Sequence, residues 1–213
     1  KRQVLDWQTV NWAAIDATLA EIAELARDLN LWVVLGTARQ IAGMRPRNSL
    51  VVIDETGAIA AHYDKRILSH TESSDWFSPG STHAIVTIQN IRIGFALCIE
   101  IRFPDLFDAH EAADLDLVLI GSYSDSAFDE IYARAQAATY GLFIGVSTPV
   151  SKGEGGLDCF GIGPDGEVLA RRNNAAKSPA IFDVDPEAAR WEIPLRRARP
   201  WRRKIRNENF RSI

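Results

Sequence analysis

The 213-residue chain is short of the residues that usually mark disulfide, metal or redox chemistry. It holds two cysteines, Cys98 and Cys159, four histidines and a single methionine. Two cysteines so far apart make neither a disulfide framework nor the paired spacing of a zinc site, and they suit a reducing compartment, the cytoplasm. No run of about 18 apolar residues occurs, so no stretch reads as a membrane-spanning helix. A G-x-G-x-x-G or P-loop string is missing too, which leaves a nucleotide-binding α/β domain without its phosphate cradle. Positive charge is not in excess: 24 Lys and Arg against 28 Asp and Glu give a net charge of -4, which argues against nucleic acid as the main partner. Internal repeats and low-complexity tracts are absent. What remains, 46% hydrophobic and 24% charged residues, is the composition of a folded globular domain.

Periodicity supplies the elements. Over residues 12–29, Ile15, Leu19, Ile22 and Ala26 fall on one helical face, with Glu21, Glu24, Arg27 and Asp28 on the others, which predicts an amphipathic helix. The apolar run 31–35, ending at Gly36, predicts a buried strand. Residues 48–53 and 58–63 flank Asp54-Glu55-Thr56-Gly57, a hairpin signal. Further strands are expected at 84–88, 91–98, 115–120, 142–147 and 180–184, and a short helix after Pro104. A second amphipathic helix is expected at 127–140, with Phe128, Ile131, Ala135 and Ala138 as its apolar face. Gly163-Pro164-Asp165-Gly166 reads as a turn. Strands interleaved with helices and no linker predict one layered α/β or α+β domain over 1–213. Residues 196–213 form a basic arm, with Arg196, Arg197, Arg199, Arg202, Arg203, Lys204, Arg206 and Arg211 around Trp201 and Phe210. Such an arm reads either as a nucleic-acid or membrane patch or, the expectation in an acidic chain, as a segment that packs on an acidic surface, that of a second subunit.

Three residues invite a chemical reading. Cys98 ends the strand IRIGFALC on the face of Arg92, Gly94 and Ala96, where the small Gly94 and Ala96 leave room for a ligand. The chain turns from strand to helix there, and a helix N-terminus favours thiolate. The alternative is a buried structural cysteine. Lys65, at the end of the hairpin, is either a solvated strand end or a charge that lowers a thiol pKa and stabilises an oxyanion. Glu72, in a polar loop closed by Pro79-Gly80, is either a surface carboxylate or the group that holds the lysine.

Taken together, Tyr63-Asp64-Lys65-Arg66-Ile67-Leu68, the loop ending in Pro79-Gly80, and GFALCIEIRFPDLF at 94–107 resemble the nitrilase, or carbon–nitrogen hydrolase, superfamily. The resemblance runs over nearly the whole chain, with Asn48 at a strand start and Gly163–Gly166 at a late hairpin. It implies a four-layer α-β-β-α sandwich with mixed sheets, paired as a homodimer or higher oligomer through its outer helices. It also implies a Glu-Lys-Cys triad in which Cys98 is the nucleophile, Lys65 the lysine and Glu72 a second, supporting glutamate. Tyr123 and Ser124, after the strand at 115–120, are the expected substrate contacts. The implied reaction is hydrolysis of a non-peptide carbon–nitrogen bond in a small amide or N-carbamoyl compound through a cysteine thioester, with no metal or organic cofactor. The string Cys98–Pro104 looks closer to amidases than to true nitrilases. A catalytically silent binding or assembly relative and a nitrile-hydrolysing enzyme are the alternatives; the acyltransferase branch carries membrane helices with no counterpart here.

Two departures from the family pattern stand out. Ala137-Ala138-Thr139-Tyr140 replaces the acidic residue and Asn that often follow Arg-Ala in the later helix, although Arg134 is kept. The family's general-base glutamate lies before the helix at 12–29, and none of Glu21, Glu24 and Glu55 is in the matching place, so no residue is assigned as base. With a start at Lys1-Arg2-Gln3 and no initiator methionine, the expectation is a part of a longer hydrolase, incomplete at the N-terminus.

Overall fold

The computed structural model describes residues 6–123, 128–149, 159–172 and 178–209, which divide into two units, Lys1–Val86 and Thr87–Ile213.

The first unit lays a helix on an antiparallel sheet. Helix α1 (Trp12–Leu29) starts where the Asn11 side chain accepts the Ala14 N–H at 3.1 Å and ends at Asn30, which takes a left-handed φ of 53°. Its inward stripe is the expected one: Ala26 is buried with Ile22 and Ala23 against Val33, Val51 and Ile53 of the sheet. Strands β1 (Val33–Arg39), β2 (Arg47–Ile53) and β3 (Ile59–Asp64) pair in that order. The β2–β3 hairpin turns as expected. The Asp54 carboxylate accepts the N–H groups of Thr56 and Ala58, and Gly57 takes a φ of 83° that a side chain would resist. Strand β1 differs from the reading of 31–35. It runs straight through Gly36, which pairs with Leu50, and it is half-buried because its only sheet neighbour among the described residues is β2.

The second unit is a mixed sheet in the order β4 (Val86–Ile88), β5 (Ile91–Leu97), β6 (Leu117–Gly121), β7 (Phe143–Ser147), β8 (Phe160–Ile162), β9 (Val168–Arg171). Strands β5, β6 and β7 are parallel, joined through α2 (Pro104–Ala112) and α3 (Phe128–Tyr140). Parallel neighbours need such crossover helices, and both pack on the sheet. Ala96, Val118, Ile120, Ile144, Val146, Phe160 and Ile162 form one core with Leu106 and Phe107 of α2 and Ala133, Ala137 and Tyr140 of α3.

Three expectations are corrected here. The inward face of α3 is Asp129, Ala133, Gln136, Ala137 and Tyr140, while Ile131, Ala135 and Ala138 are exposed; two polar residues sit inside because they bond the neighbouring turn, as shown below. Residues 180–184 form no strand. Phe182 instead lies over Gly145 and Gly161, and a Cβ on Gly161 would collide with its ring. The basic arm finds its acidic surface on its own unit. In α4 (Arg199–Asn209), Arg202 and Arg206 pair with the buried Glu111 of α2, Arg206 also with Asp108, and Arg199 and Arg203 with Asp114. Arg211 and Phe210 lie outside the described residues.

Candidate active site

Lys65 follows β3 directly, and its backbone is pinned on both sides. Its N–H donates to Asn48 O at 2.8 Å, and its carbonyl accepts Gly80 N–H at 2.8 Å. A Cβ on Gly80 would run into the backbone of Asp64, so the Pro79-Gly80 loop needs glycine to come this close. The lysine is not a solvated strand end. It is 1% exposed, and its Nζ donates to Glu72 Oε2 at 2.6 Å.

Glu72 is likewise no surface carboxylate. It opens a π-helical turn, Glu72–Trp76, whose carbonyls at Ser73 and Ser74 are held by the Arg45 guanidinium. Its Oε2 also accepts Ser69 N–H at 2.8 Å, and its Oε1 accepts Asn48 Nδ2 at 2.9 Å. Burial alone would raise this carboxyl; the donors from Lys65, Ser69 and Asn48 outweigh it and hold the pKa below the usual carboxylate range.

One residue before the lysine, Asp64 joins all three strands. Arg39 bonds it through both Nε and Nη2, with Arg47 Nη1 at 2.7 Å and Ser49 Oγ at 2.6 Å. Burial opposes the charged form here as well, yet these donors push the carboxyl down to about 2. The sequence pattern marked neither the Asp64 clasp nor the bond from Asn48 to Glu72.

In the second unit Cys98 does not end a strand. Strand β5 stops at Leu97, and Cys98 begins a 3-10 turn, Cys98–Arg102, with a φ of 52°. Left-handed backbone costs a residue with a Cβ about 1–2 kcal/mol, and such strain persists only where the surroundings impose it. They do so here. The buried Glu100 turns back to accept Leu97 N–H at 2.7 Å, Gln136 Nε2 bonds Ile101 O at 3.0 Å, Arg102 pairs with Asp129 at 2.9 Å, and Pro104 opens α2. Cys98 is half-buried at this bend. The small residues behind it serve packing rather than a ligand. A Cβ on Gly94 would strike Leu115 and crowd the His110 ring, and Ala96 lies in the helix-covered core.

The register Leu97↔Gly121 and Gly121↔Ser147 sets the carboxyl ends of β5, β6 and β7 level. Ligands of open α/β sheets bind along such an edge. Cys98 and Tyr123 both stand there, Tyr123 being 90% exposed; Ser124 lies outside the described residues. Cys159 differs in kind, since its sulfur accepts Thr148 N–H at 3.4 Å and donates to Thr148 O at 3.5 Å. Of the carboxylates weighed as base, Glu21 and Glu24 are exposed on α1. The structure thus joins Lys65 to Glu72 in one unit and sets Cys98 and Tyr123 on one sheet edge in the other. Sequence reasoning missed Glu100, Asp129 and Gln136; a carboxylate two residues beyond the cysteine was the one signal available.

Comparison with known proteins identifies the family. A family model described as carbon–nitrogen hydrolase matches residues 4–192. Among curated proteins the chain is 26% identical to a chloroplastic omega-amidase of Arabidopsis thaliana, over 84% of this chain and 54% of the relative. It is 30% identical to an (R)-stereoselective amidase of a Pseudomonas species, over 71% and 57%. A deaminated glutathione amidase of Yersinia enterocolitica is 27% identical over 55% and 46%. The chain spans about half the length of the curated relatives it matches. Among solved structures, a glutamate-to-glutamine mutant of the amidase from Nesterenkonia sp. AN1 superposes with a TM-score of 0.73 at 20% identity, covering 95% of this chain and 76% of that one. It carries the acetamide moiety of fluoroacetamide on its active-site cysteine. A cysteine-to-alanine mutant of the same amidase, from the nitrilase superfamily, gives 0.69 at 19%, covering 78% and 66%. At these identities the likeness is one of fold, and the α/β fold expected from the sequence is the one found.

Proposed function

We propose, since the chain belongs to the carbon–nitrogen hydrolase family, that it serves as an amidase, with Cys98 as nucleophile, Lys65 as oxyanion partner and Glu72 as the residue that holds Lys65. The observation that carries this reading is the left-handed Cys98 at the strand-to-turn bend. A strained, incompletely buried thiol is a poor structural choice and a good nucleophile mount. The amidases among the relatives, and the acetamide group on the cysteine of the Nesterenkonia enzyme, support a small amide as the substrate class.

In this reading the Cys98 sulfur bonds to the amide carbon and the carbonyl electron pair moves onto oxygen. The negative oxygen needs a cation that is already in place, and Lys65 is fixed by its ion pair with Glu72. The carbon–nitrogen bond then breaks, and the nitrogen leaves as ammonia with the proton that the thiol lost. Water attacks the thioester carbon, releases the carboxylic acid and restores the thiol. N-carbamoyl compounds present the same carbon and belong to the same class. Tyr123 and Ser124 belong to this reading as substrate contacts, and a second copy of the chain as partner.

The test has two arms. Ammonia release is followed over a panel of simple primary amides and N-carbamoyl compounds, and intact mass is recorded after brief mixing with substrate. Turnover with an acyl group trapped on the Cys98 peptide supports the reading. Turnover that survives Cys98→Ala sinks it, and so does iodoacetamide labelling of Cys159 ahead of Cys98.

A further inference from the structure

Helix α3 meets the turn of Cys98 with one stripe of side chains. Asp129, Tyr132 and Gln136 fall at i, i+3 and i+7, which brings them to the same side. Asp129 is buried and accepts Arg102 Nη2 at 2.9 Å. The Tyr132 ring lies 5.2 Å from the Arg102 guanidinium carbon, within cation–π range. Gln136, also buried, donates to Ile101 O at 3.0 Å. Burying a carboxylate and an amide on a helix face that otherwise packs Ala133 and Ala137 is costly unless both are bonded, and both are bonded to this one turn.

Arg102 is therefore fixed at its far end, and it closes the five-residue turn that Cys98 opens. The charged and titratable groups facing it are Asp129 and Tyr132 from α3 and the Cys98 thiol from its own turn. Glu100, the other charge in the turn, is engaged by Leu97 N–H. The hydrogen bond to Asp129, first among these influences, holds the guanidinium charged above its ordinary range.

We propose that Arg102, anchored by Asp129, is a positioning residue for Cys98, holding the turn in its left-handed form and keeping a fixed positive charge on the cysteine's own turn. A guanidinium suits this task because it does not lose its proton at any working pH. The inference deepens the amidase reading: the gain in turnover rests on that reading, whereas the effect on the thiolate does not.

Iodoacetamide labelling of Cys98, followed by peptide mass across a pH series, reads the thiolate directly. In Arg102→Gln the labelling rate at neutral pH is expected to fall roughly three- to tenfold and the rate–pH profile to move to higher pH. Cys159 is the internal control and keeps its rate. Arg102→Lys restores part of the rate. Asp129→Asn keeps the cation but loosens it; labelling slows roughly twofold, and kcat falls while KM holds. A purely structural Arg102 predicts a lower Tm with an unmoved profile, and that result overturns the inference. If Arg102→Gln does not fold, an unmoved profile in Asp129→Asn overturns it equally. A parent that releases no ammonia from any amide, yet shows the shifted profile in Arg102→Gln, sinks the amidase reading and leaves this inference standing. A parent that turns over amides with a profile indifferent to Arg102 does the reverse.

Discussion

Lys65 is held by its bonds, whereas Cys98 is held by the bend of its backbone. Around the lysine the sheet is regular and the side chains carry the order: a buried cation meets a buried carboxylate, a neighbouring aspartate ties β1, β2 and β3 together, and each charge has a partner. Around the cysteine the side chain is only partly buried, and the order lies in a left-handed residue that four neighbouring anchors keep from relaxing. The difference suits the roles proposed for the two groups. A cation that must not move is best buried and paired, since charge without a partner is intolerable inside a protein. A nucleophile must meet its substrate, so its sulfur cannot be packed away, and the fold fixes the main chain instead. One site stores ionic order and the other stores strain.

The sharpest way to separate the two is at Cys98 itself. Cys98→Ala and Cys98→Gly are both expected to lose at least on the order of 10³ in turnover, because no other thiol stands at that bend. Their stabilities should differ in an unusual direction. Glycine accepts a φ of 52° without penalty, so Cys98→Gly should be more stable than Cys98→Ala by about 1 kcal/mol in denaturant unfolding. In an ordinary strand or helix the order is opposite. An alanine variant as stable as the glycine one removes strain from the comparison.

At Lys65 activity and stability should fall together. If Lys65 is the oxyanion partner, turnover of Lys65→Met should drop by roughly 10² to 10³. Glu72 is then left buried without its cation, and breaking such a pair costs about 3 kcal/mol or more. Adding Glu72→Gln to Lys65→Met should recover much of that stability and none of the turnover, which a double-mutant cycle on urea midpoints measures. If the single variant is as stable as the parent, Lys65 is held by something other than its partner.

Much of this was legible in the sequence, and the limits were physical. The α1 stripe was readable because Ile15, Leu19, Ile22 and Ala26 repeat with helical period. The β2–β3 hairpin was readable because Asp54 and Gly57 each suit one backbone position. Cys98, Lys65 and Glu72 were singled out through a family resemblance. The resemblance carried their identity but not their environment, so the burial of Lys65 and the left-handed turn at Cys98 emerged only from the fold. The period of α3 misled because Asp129 and Gln136 are polar yet face inward. A pattern of apolar residues cannot see a buried side chain whose partner is a backbone carbonyl or a guanidinium far along the chain. Strand alternation failed at Cys98 for a related reason: a single positive φ ends the alternation, and nothing in IRIGFALC marks where.

The smallest effect belongs to Asp64, and it tests whether the ionic order around the lysine is sensitive to acid. Its carboxyl is held at about 2, against a usual value near 3.8, by Arg39, Ser49 and Arg47 acting against burial. A carboxyl depressed by folding adds its full stabilisation above the unfolded value and loses it as pH falls through the folded one. The clasp should therefore be intact above about pH 4 and be lost between about pH 4 and pH 2. Glu72, depressed in the same sense, adds to the loss in acid. Asp64→Asn removes the charge and leaves Arg39 and Arg47 facing a neutral amide. At neutral pH this should cost about 1–2 kcal/mol and slow turnover a few-fold, because Lys65 is the next residue on a strand end that has loosened. The variant should also lose less stability than the parent on acidification, since the group that titrates is no longer there. Denaturant midpoints at neutral pH and in acid measure both effects, and peptide-level hydrogen exchange assigns the loss to residues 33–64 rather than to the turn of Cys98. If parent and variant lose stability alike in acid, or if exchange rises first around residues 98–102, the ionic order lies somewhere other than Asp64.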